Sequence, residues 1–297
     1  MKTDKIISVG KNMLSVTVRP MQKDDIADAI KLSNAEGWNQ TENDWKLLIK
    51  NDQNICMLAE CNDKIIGTCT VMNYANHIAW IGMVLVDKAY RRQGVSKLLL
   101  ENIFRNLKSF KSVKLDATPA GQQVYTKFGF KEEYLIARMA ITSAKLLTAN
   151  EDDGSIAPAE LKDVPEIITL DKIVFGADRT ILIESLIRRY PQKAWVLKRD
   201  NSITGFALGR DGNKYHQIGP LIASTTKDTY ALFRKAMKAI NKQPVVVDVI
   251  CDKESLIKSL SSLGFVKQRS FVRMYKNENP FPGTIAQYHL ACGPEFG

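Results

Sequence analysis

The chain has 297 residues, more than one domain usually holds, so length alone predicts two units of roughly 100 to 200 residues. A hydrophobic share of 45% with 25% charged residues excludes a disordered or fibrous chain, and a formal charge of +10, from 42 Lys and Arg against 32 Asp and Glu, favours an anionic partner: nucleic acid, an acidic membrane or a polyphosphate cofactor. No apolar run reaches the ~18 to 20 residues that span a bilayer, and the start, with Ile6, Ile7 and Val9, has no long apolar leader, so the expectation is a cytoplasmic protein without membrane association.

In chain order, Ser15 to Arg19 alternates as a strand, and Lys23 to Glu36 carries Ile26, Ala27 and Ile30 at helical spacing. Thr41 and Asp44 form a capping box for a short helix containing Trp45, Leu48 and Ile49. Ile55 to Cys61, Asn62-Asp63 and Lys64 to Tyr74 read as a hairpin, with a further strand from Ile78 to Val86. A helix is expected from Gly94 to about Leu107, then a strand from Ser112 to Ala117, a helix from about Gln122 to Phe128 and closing strands to Ile141. The acidic stretch Ala149 to Gly154 reads as a linker between a domain at 14–145 and another at 155–297.

Beyond the linker, Asp163 and Pro165 start a helix, Asp178 to Arg189 is helical, and Trp195 to Arg210 makes a hairpin around Asp200-Asn201. His216 to Ala223 continues the sheet. A helix from Thr226 to Ile240, a strand from Pro244 to Ile250, a helix from Glu254 to Leu263 and a final strand pair to Tyr275 follow. The tail, with Pro280, Pro282 and Gly283, reads as irregular. This order is α/β (α+β), each half a mixed, largely antiparallel sheet flanked by helices.

The halves repeat one another. Phe128-Gly129-Phe130 precedes Arg138-Met139, and Leu263-Gly264-Phe265 precedes Arg273-Met274; both Gly-to-Arg intervals are nine (138 − 129 and 273 − 264). Upstream, Lys64-Ile65-Ile66-Gly67 and Ser202-Ile203-Thr204-Gly205 each enter an apolar strand. The five cysteines, Cys56, Cys61, Cys69, Cys251 and Cys292, lack a paired spacing and read as reduced core thiols, and His77, His216 and His289 show no metal spacing. The basic residues are spread without an arginine-rich block, which argues against nucleic acid.

Between Val86 and the next helix lies the basic turn Tyr90-Arg91-Arg92-Gln93-Gly94-Val95-Ser96-Lys97. Backbone N–H groups at a helix start, with the positive end of the dipole behind them, suit a pyrophosphate, and Gly94 lets the backbone approach closely. The bland alternative is a solvated helix cap. The apolar strand ending Met83-Val84-Leu85-Val86, this turn, its helix and a distant Tyr125-Thr126-Lys127-Phe128-Gly129-Phe130 together resemble the GNAT superfamily of N-acyltransferases over most of residues 14–142. Its pattern of Arg or Gln, two residues, Gly, one residue, Gly or Ala runs here as Arg91, Gly94, Ser96, a slight departure at the last place. Gly37 to Thr41, Asp116 to Gly121, Phe175 to Arg179 and the terminal Gly-Pro-Glu-Phe-Gly extend the resemblance to the bacterial subgroup with a second, degenerate GNAT-like domain.

The resemblance implies an N-acetyltransferase that takes acetyl-CoA, leaves CoA and acylates an amine directly. It places the cofactor on Val84, Leu85, Val86 and on Arg91, Arg92, Gln93, Gly94, Val95, Ser96 and Lys97, with main-chain amides polarising the thioester. The second copy, Gly219 to Lys227, lacks the arginines and the glycine, so one cofactor site is expected, in the first half. Tyr125 matches the tyrosine that protonates the leaving thiolate; otherwise it is an aromatic packed with Phe128. Asp116 is the candidate base, or else a cap for Thr118 to Gln122. Trp38, Asn39 and Gln40 are candidates for the wall of a small-molecule amine pocket, or a surface turn, and Asp178, Arg179 and Asp248 are candidates from the second half, or caps and solvated charges. A reading from another class is a non-catalytic acyl-CoA-binding regulator.

Overall fold

A computed structural model describes residues 3–9, 12–143 and 154–297. The linker read at Ala149 to Gly154 lies outside the described residues apart from Gly154. By its packing the chain forms two compact units, Met1–Val113 and Lys114–Gly297.

The first unit contains β1 (Thr3–Val9), β2 (Asn12–Pro20), α1 (Ile26–Ala35), α2 (Glu42–Lys50), β3 (Ile55–Cys61), β4 (Lys64–Tyr74), β5 (Ile78–Val86) and α3 (Val95–Arg105). Strands β1 to β5 pair antiparallel in sequence order. Strand β1 is an addition to the sequence reading, which took Ile6 and Ile7 only as too short for a leader. The capping box at α2 forms as expected, with the Thr41 amide donating to Asp44 at 2.7 Å. Trp45, Leu48, Leu58, Ile66, Trp80, Leu99 and Ile103 are buried here.

Strand β6 (Ser112–Ala117) runs across the division. The second unit then holds α4 (Pro119–Lys127), β7 (Lys131–Ile141), β8 (Ile156–Pro158), α5 (Val164–Phe175), α6 (Thr180–Arg189), β9 (Trp195–Arg199), β10 (Ser202–Arg210), β11 (His216–Ala223), α7 (Thr226–Ile240), β12 (Val245–Ile250), α8 (Glu254–Ser262), β13 (Val266–Asn277) and β14 (Tyr288–Ala291). Two expectations are corrected. Each half closes on one long strand, not a pair, and the tail is not wholly irregular, because Tyr288–Ala291 is a strand.

The missing partners are supplied crosswise. Strand β7, which ends the first repeat, pairs antiparallel with β12 of the second, while β13, which ends the second repeat, lies between β7 and β6. Ala137, Met139 and Ile141 of β7 consequently belong to the same core as Val245, Val247, Val249 and Phe233. Buried charges fasten the exchange. Arg138 of β7 grips Asp248 of β12 with Nε and Nη2, both at 2.7 Å, and Arg273 of β13 grips Asp116 of β6 at 2.8 and 2.9 Å. These arginines are the two that the sequence repeat aligns, so the ion pairs are two copies of one crossed contact.

Candidate active site

The repeat is visible inside each sheet. A Cβ added at Gly67 would come within 2.9 Å of the Leu85 carbonyl oxygen and 3.1 Å of Leu99; at Gly205 the corresponding neighbours are the Ile222 oxygen at 2.9 Å and Leu232 at 3.2 Å. Each glycine lets the next strand and its following helix pack closely. That next strand carries a bulge. Thr68 pairs with Leu85 but Thr70 with Gly82, so Met83 and Val84 together face Cys69. Met83 is in the left-handed region (φ 50), a conformation that costs an L residue about 1–3 kcal/mol, and Thr68 Oγ1 holds its carbonyl at 2.8 Å. A bulge re-aims backbone groups out of the ladder, and here it does so just before the basic turn.

Asp87 builds the turn: its backbone N–H reaches the Ile66 carbonyl, its carboxylate accepts from the Ala89 amide at 2.9 Å, and Lys64 lies 2.7 Å from it. Arg92 (φ 61) and Gly94 (φ 85) are left-handed, and apart from its chain neighbours nothing described lies within 4 Å of the position a Gly94 side chain would take. Helix α3 starts with no side-chain cap and no acidic residue in its first turn. Its first amides therefore keep their anion-binding capacity, with exposed Arg92 and Lys97 beside them. An acyl-CoA's phosphates fit this donor set. Arg91 points elsewhere. Its Nε donates to Val86 O at 3.2 Å and its guanidinium pairs with Glu36, which caps α1, so the side chain braces the turn.

Trp38, Asn39 and Gln40 follow Glu36 in the α1–α2 connection. Trp38 is half-buried, with its amide on Ser33 O at 3.0 Å, and Asn39 and Gln40 are buried. In the second unit Tyr125 is buried on α4, edge-on to Phe130 at 5.8 Å. The remaining candidates are corrected. Asp116 gives both carboxylate oxygens to Arg273, whose Nη1 also meets the Tyr134 hydroxyl at 2.5 Å. Burial raises the Asp116 carboxyl against the pull of Arg273, and the guanidinium, although burial opposes it, is held well above its ordinary value by Asp116. An acid clamped in this way is a strand fastener, not a base. The helix cap is Thr118, whose hydroxyl accepts from Gly121 N. Asp248 is filled by Arg138 and Gln217, Asp178 caps α6 by accepting from Thr180 N at 2.8 Å, and Arg179 is enclosed by Asp171, Phe175 and the Gly297 carbonyl. Their charges are engaged within the second unit, and the acceptor role gives way to a structural one.

The second copy differs from the first at the bulge and at the helix start. Ala207 pairs with Leu221 and Gly209 with Ile218, so the corresponding strand also bulges, at Gly219-Pro220, one residue further from the repeat glycine, and Pro220 brings no N–H to it. Helix α7 is capped by the Thr225 hydroxyl, which accepts from Asp228 N at 3.1 Å, and Asp228 puts a negative charge in its first turn. That helix start thus has a side-chain cap and an acidic residue, paired with Arg199 at 3.1 Å, where α3 has neither.

Comparison with known proteins finds the same repeat. Two models described as acetyltransferase (GNAT) domain match, one over residues 52–132 and one over 167–289. The chain is a tandem GNAT protein. It is 23% identical to the uncharacterised N-acetyltransferase YitH of Bacillus subtilis over 248 residues, 83% of this chain and 86% of YitH. It is 24% identical to the holothin acyltransferase of a Pseudoalteromonas species over 247 residues, 83% of each chain. Among solved structures it resembles a Pyrococcus horikoshii protein proposed to be an acetyltransferase (TM-score 0.79, 21% identity, 95% of this chain and 96% of that one) and a tandem GNAT protein of the clavulanic acid biosynthesis pathway (TM-score 0.59, 11% identity, 89% and 99%). GNAT domains handle acyl-CoA, so the tandem GNAT chain is an acyltransferase by family. Sequence reasoning missed the β5 bulge, the Glu36 brace and the saturation of Asp116. The repeat in which Arg138 and Arg273 sit was the available signal for the last.

Proposed function

We propose that this tandem GNAT protein is a cytoplasmic N-acetyltransferase that moves an acetyl group from acetyl-CoA to a small-molecule amine. The observation that carries the reading is the strained bulge on β5 leading into an uncapped, basic helix start, in the first copy alone. Acetyl-CoA supplies an activated acyl carbon on a thiol leaving group. The chain supplies the rest. Arg92, Lys97 and the first amides of α3 hold phosphate, and the amides along Val84 to Val86 donate to the thioester oxygen as negative charge develops there. The amine nitrogen bonds to the acyl carbon, the C–S bond breaks, Tyr125 gives its proton to the departing sulfur, and the proton lost by the amine nitrogen returns, directly or through water, to the Tyr125 phenolate. Trp38 with Asn39 and Gln40 offers an aromatic and amide wall suited to a compact amine.

Turnover of an amine library with Tyr125→Phe tests the assignment. The expected result is a kcat lowered by about 10²-fold or more with CoA affinity unchanged; unchanged turnover removes Tyr125 from the mechanism. The clamping of Asp116 by Arg273 argues against the base read from sequence and supports a second reading, an acyl-CoA-binding regulator. That reading predicts cofactor binding with no transfer to any amine.

A further inference from the structure

We propose that the segment from Tyr288 to Gly297 is a resident occupant of the second copy, seated where its two central strands part and closing that half to any extended, amide-bearing ligand. The cleft arises from the fold. Strands β11 and β12 run parallel and pair only at His216–Val245, Gln217–Val246 and Ile218–Val247. At Gly219-Pro220 the bulge turns β11 away, and beyond it the two strands no longer pair with each other. Such an opening accepts a chain that carries amides at strand spacing, as the pantetheine arm of a CoA thioester does.

Strand β14 takes that place. Leu221 pairs with Leu290 and Ile222 with Tyr288 on one side; Asp248 pairs with Ala291 and Val249 with Leu290 on the other, antiparallel to both walls. The fit to the bulge is close. A Cβ on Gly219 would lie 2.0 Å from the Ala291 carbonyl oxygen, so glycine is required there by the segment itself. Its other anchors are buried and polar: Glu295 pairs with Arg210, which also donates to Gln217 at 3.0 Å, and Arg179 donates to Gly297 O at 3.0 Å. His289 Nε2 donates to Ala223 O at 3.0 Å. Tyr288, Leu290, Ala291, Cys292, Glu295 and Phe296 are all buried. A peripheral tail laid on a surface needs no buried ion pair, whereas an occupant that must outcompete ligands does.

Only the identity of the excluded ligand rests on the acyl-CoA reading of the first copy. The test is hydrogen exchange by mass spectrometry on the full chain, with and without saturating CoA, together with a count of bound CoA by native mass spectrometry. Peptides covering 288–297 should exchange at least tenfold more slowly than unprotected amides without ligand and stay unchanged with it, while those covering 83–97 slow on binding of one equivalent. Fast exchange of 288–297, its acceleration as CoA is added, or a second bound equivalent would overturn the proposal. Absence of any CoA binding with 288–297 still protected would defeat the cofactor reading and leave the occupant in place. In Glu295→Gln, which keeps the side chain's size, exchange should rise at 288–297 before the rest of the unit; rates rising uniformly would contradict a separately anchored segment.

Discussion

Removing one side of a buried ion pair strands the other, a loss of about 3–5 kcal/mol in comparable cases. Asp116→Ala and Arg138→Ala should each lower the unfolding free energy by about that much, measured by chemical denaturation, because each leaves an arginine or an aspartate uncompensated inside the second unit. If Asp116 were instead the catalytic base, Asp116→Asn would abolish turnover with little loss of stability. Glu36 is a positioning residue on this account. Its pair with Arg91 is partly exposed, so Glu36→Gln should weaken CoA binding only several-fold, within the roughly 1 kcal/mol of such pairs, and leave the melting temperature near that of the wild type. Unchanged or tighter binding would show that Arg91 is a phosphate ligand held back by Glu36. Burial lowers the His289 imidazole, with Lys253 adding to the effect and the Ala223 carbonyl and Asp252 opposing it. A folded-state value below the unfolded one means that stability is complete above about pH 6.5 and declines as pH falls below it. Burial, then Lys193, lower His216 likewise, against Asp211, so His289→Gln should remove part of the decline and a double replacement with His216→Gln more of it.

At the scale of elements, the sequence alone placed the β3–β4 hairpin, β5, α7 and β11 with their bounds, because apolar alternation, Asn-Asp turns and capping residues are local signals. It did not show where closing strands go. Strands β7 and β13 look alike in sequence, and partner choice depends on Asp116 and Asp248, which lie far from them along the chain. Strand β14 escaped for a similar reason: its four residues follow a Pro- and Gly-containing stretch, and only the parting of β11 and β12 gives them a ladder. The cradle was legible because its glycine and arginines are contiguous, while the Met83 bulge was not, since nothing in an apolar run marks a left-handed residue. Packing between β4, β5 and α3 supports both. Gly67→Ala should cost about 1–3 kcal/mol and loosen CoA binding, because its methyl meets the Leu85 oxygen and the α3 side chains; equal CoA affinity would separate the packing from the site.

For the whole molecule, the repeat boundary and the packing boundary differ. The repeat divides the chain near residues 145–155, whereas the compact units meet between Val113 and Lys114, because β7 is built into the sheet of the later repeat. A protease site engineered into 149–154 should therefore give two fragments that stay together in gel filtration and separate only on denaturation; ready separation would deny the exchange. One repeat keeps an open anion cradle, and the other has a proline at its bulge, a capped helix and a strand in its cleft. The central claim is thus a single acyl-CoA site, and calorimetric titration of CoA and acetyl-CoA into wild type and Gly94→Glu tests it most directly. One equivalent should bind the wild type and none the variant, whose carboxylate would stand among the α3 amides. No binding by the wild type, or a full equivalent retained by Gly94→Glu, would contradict it.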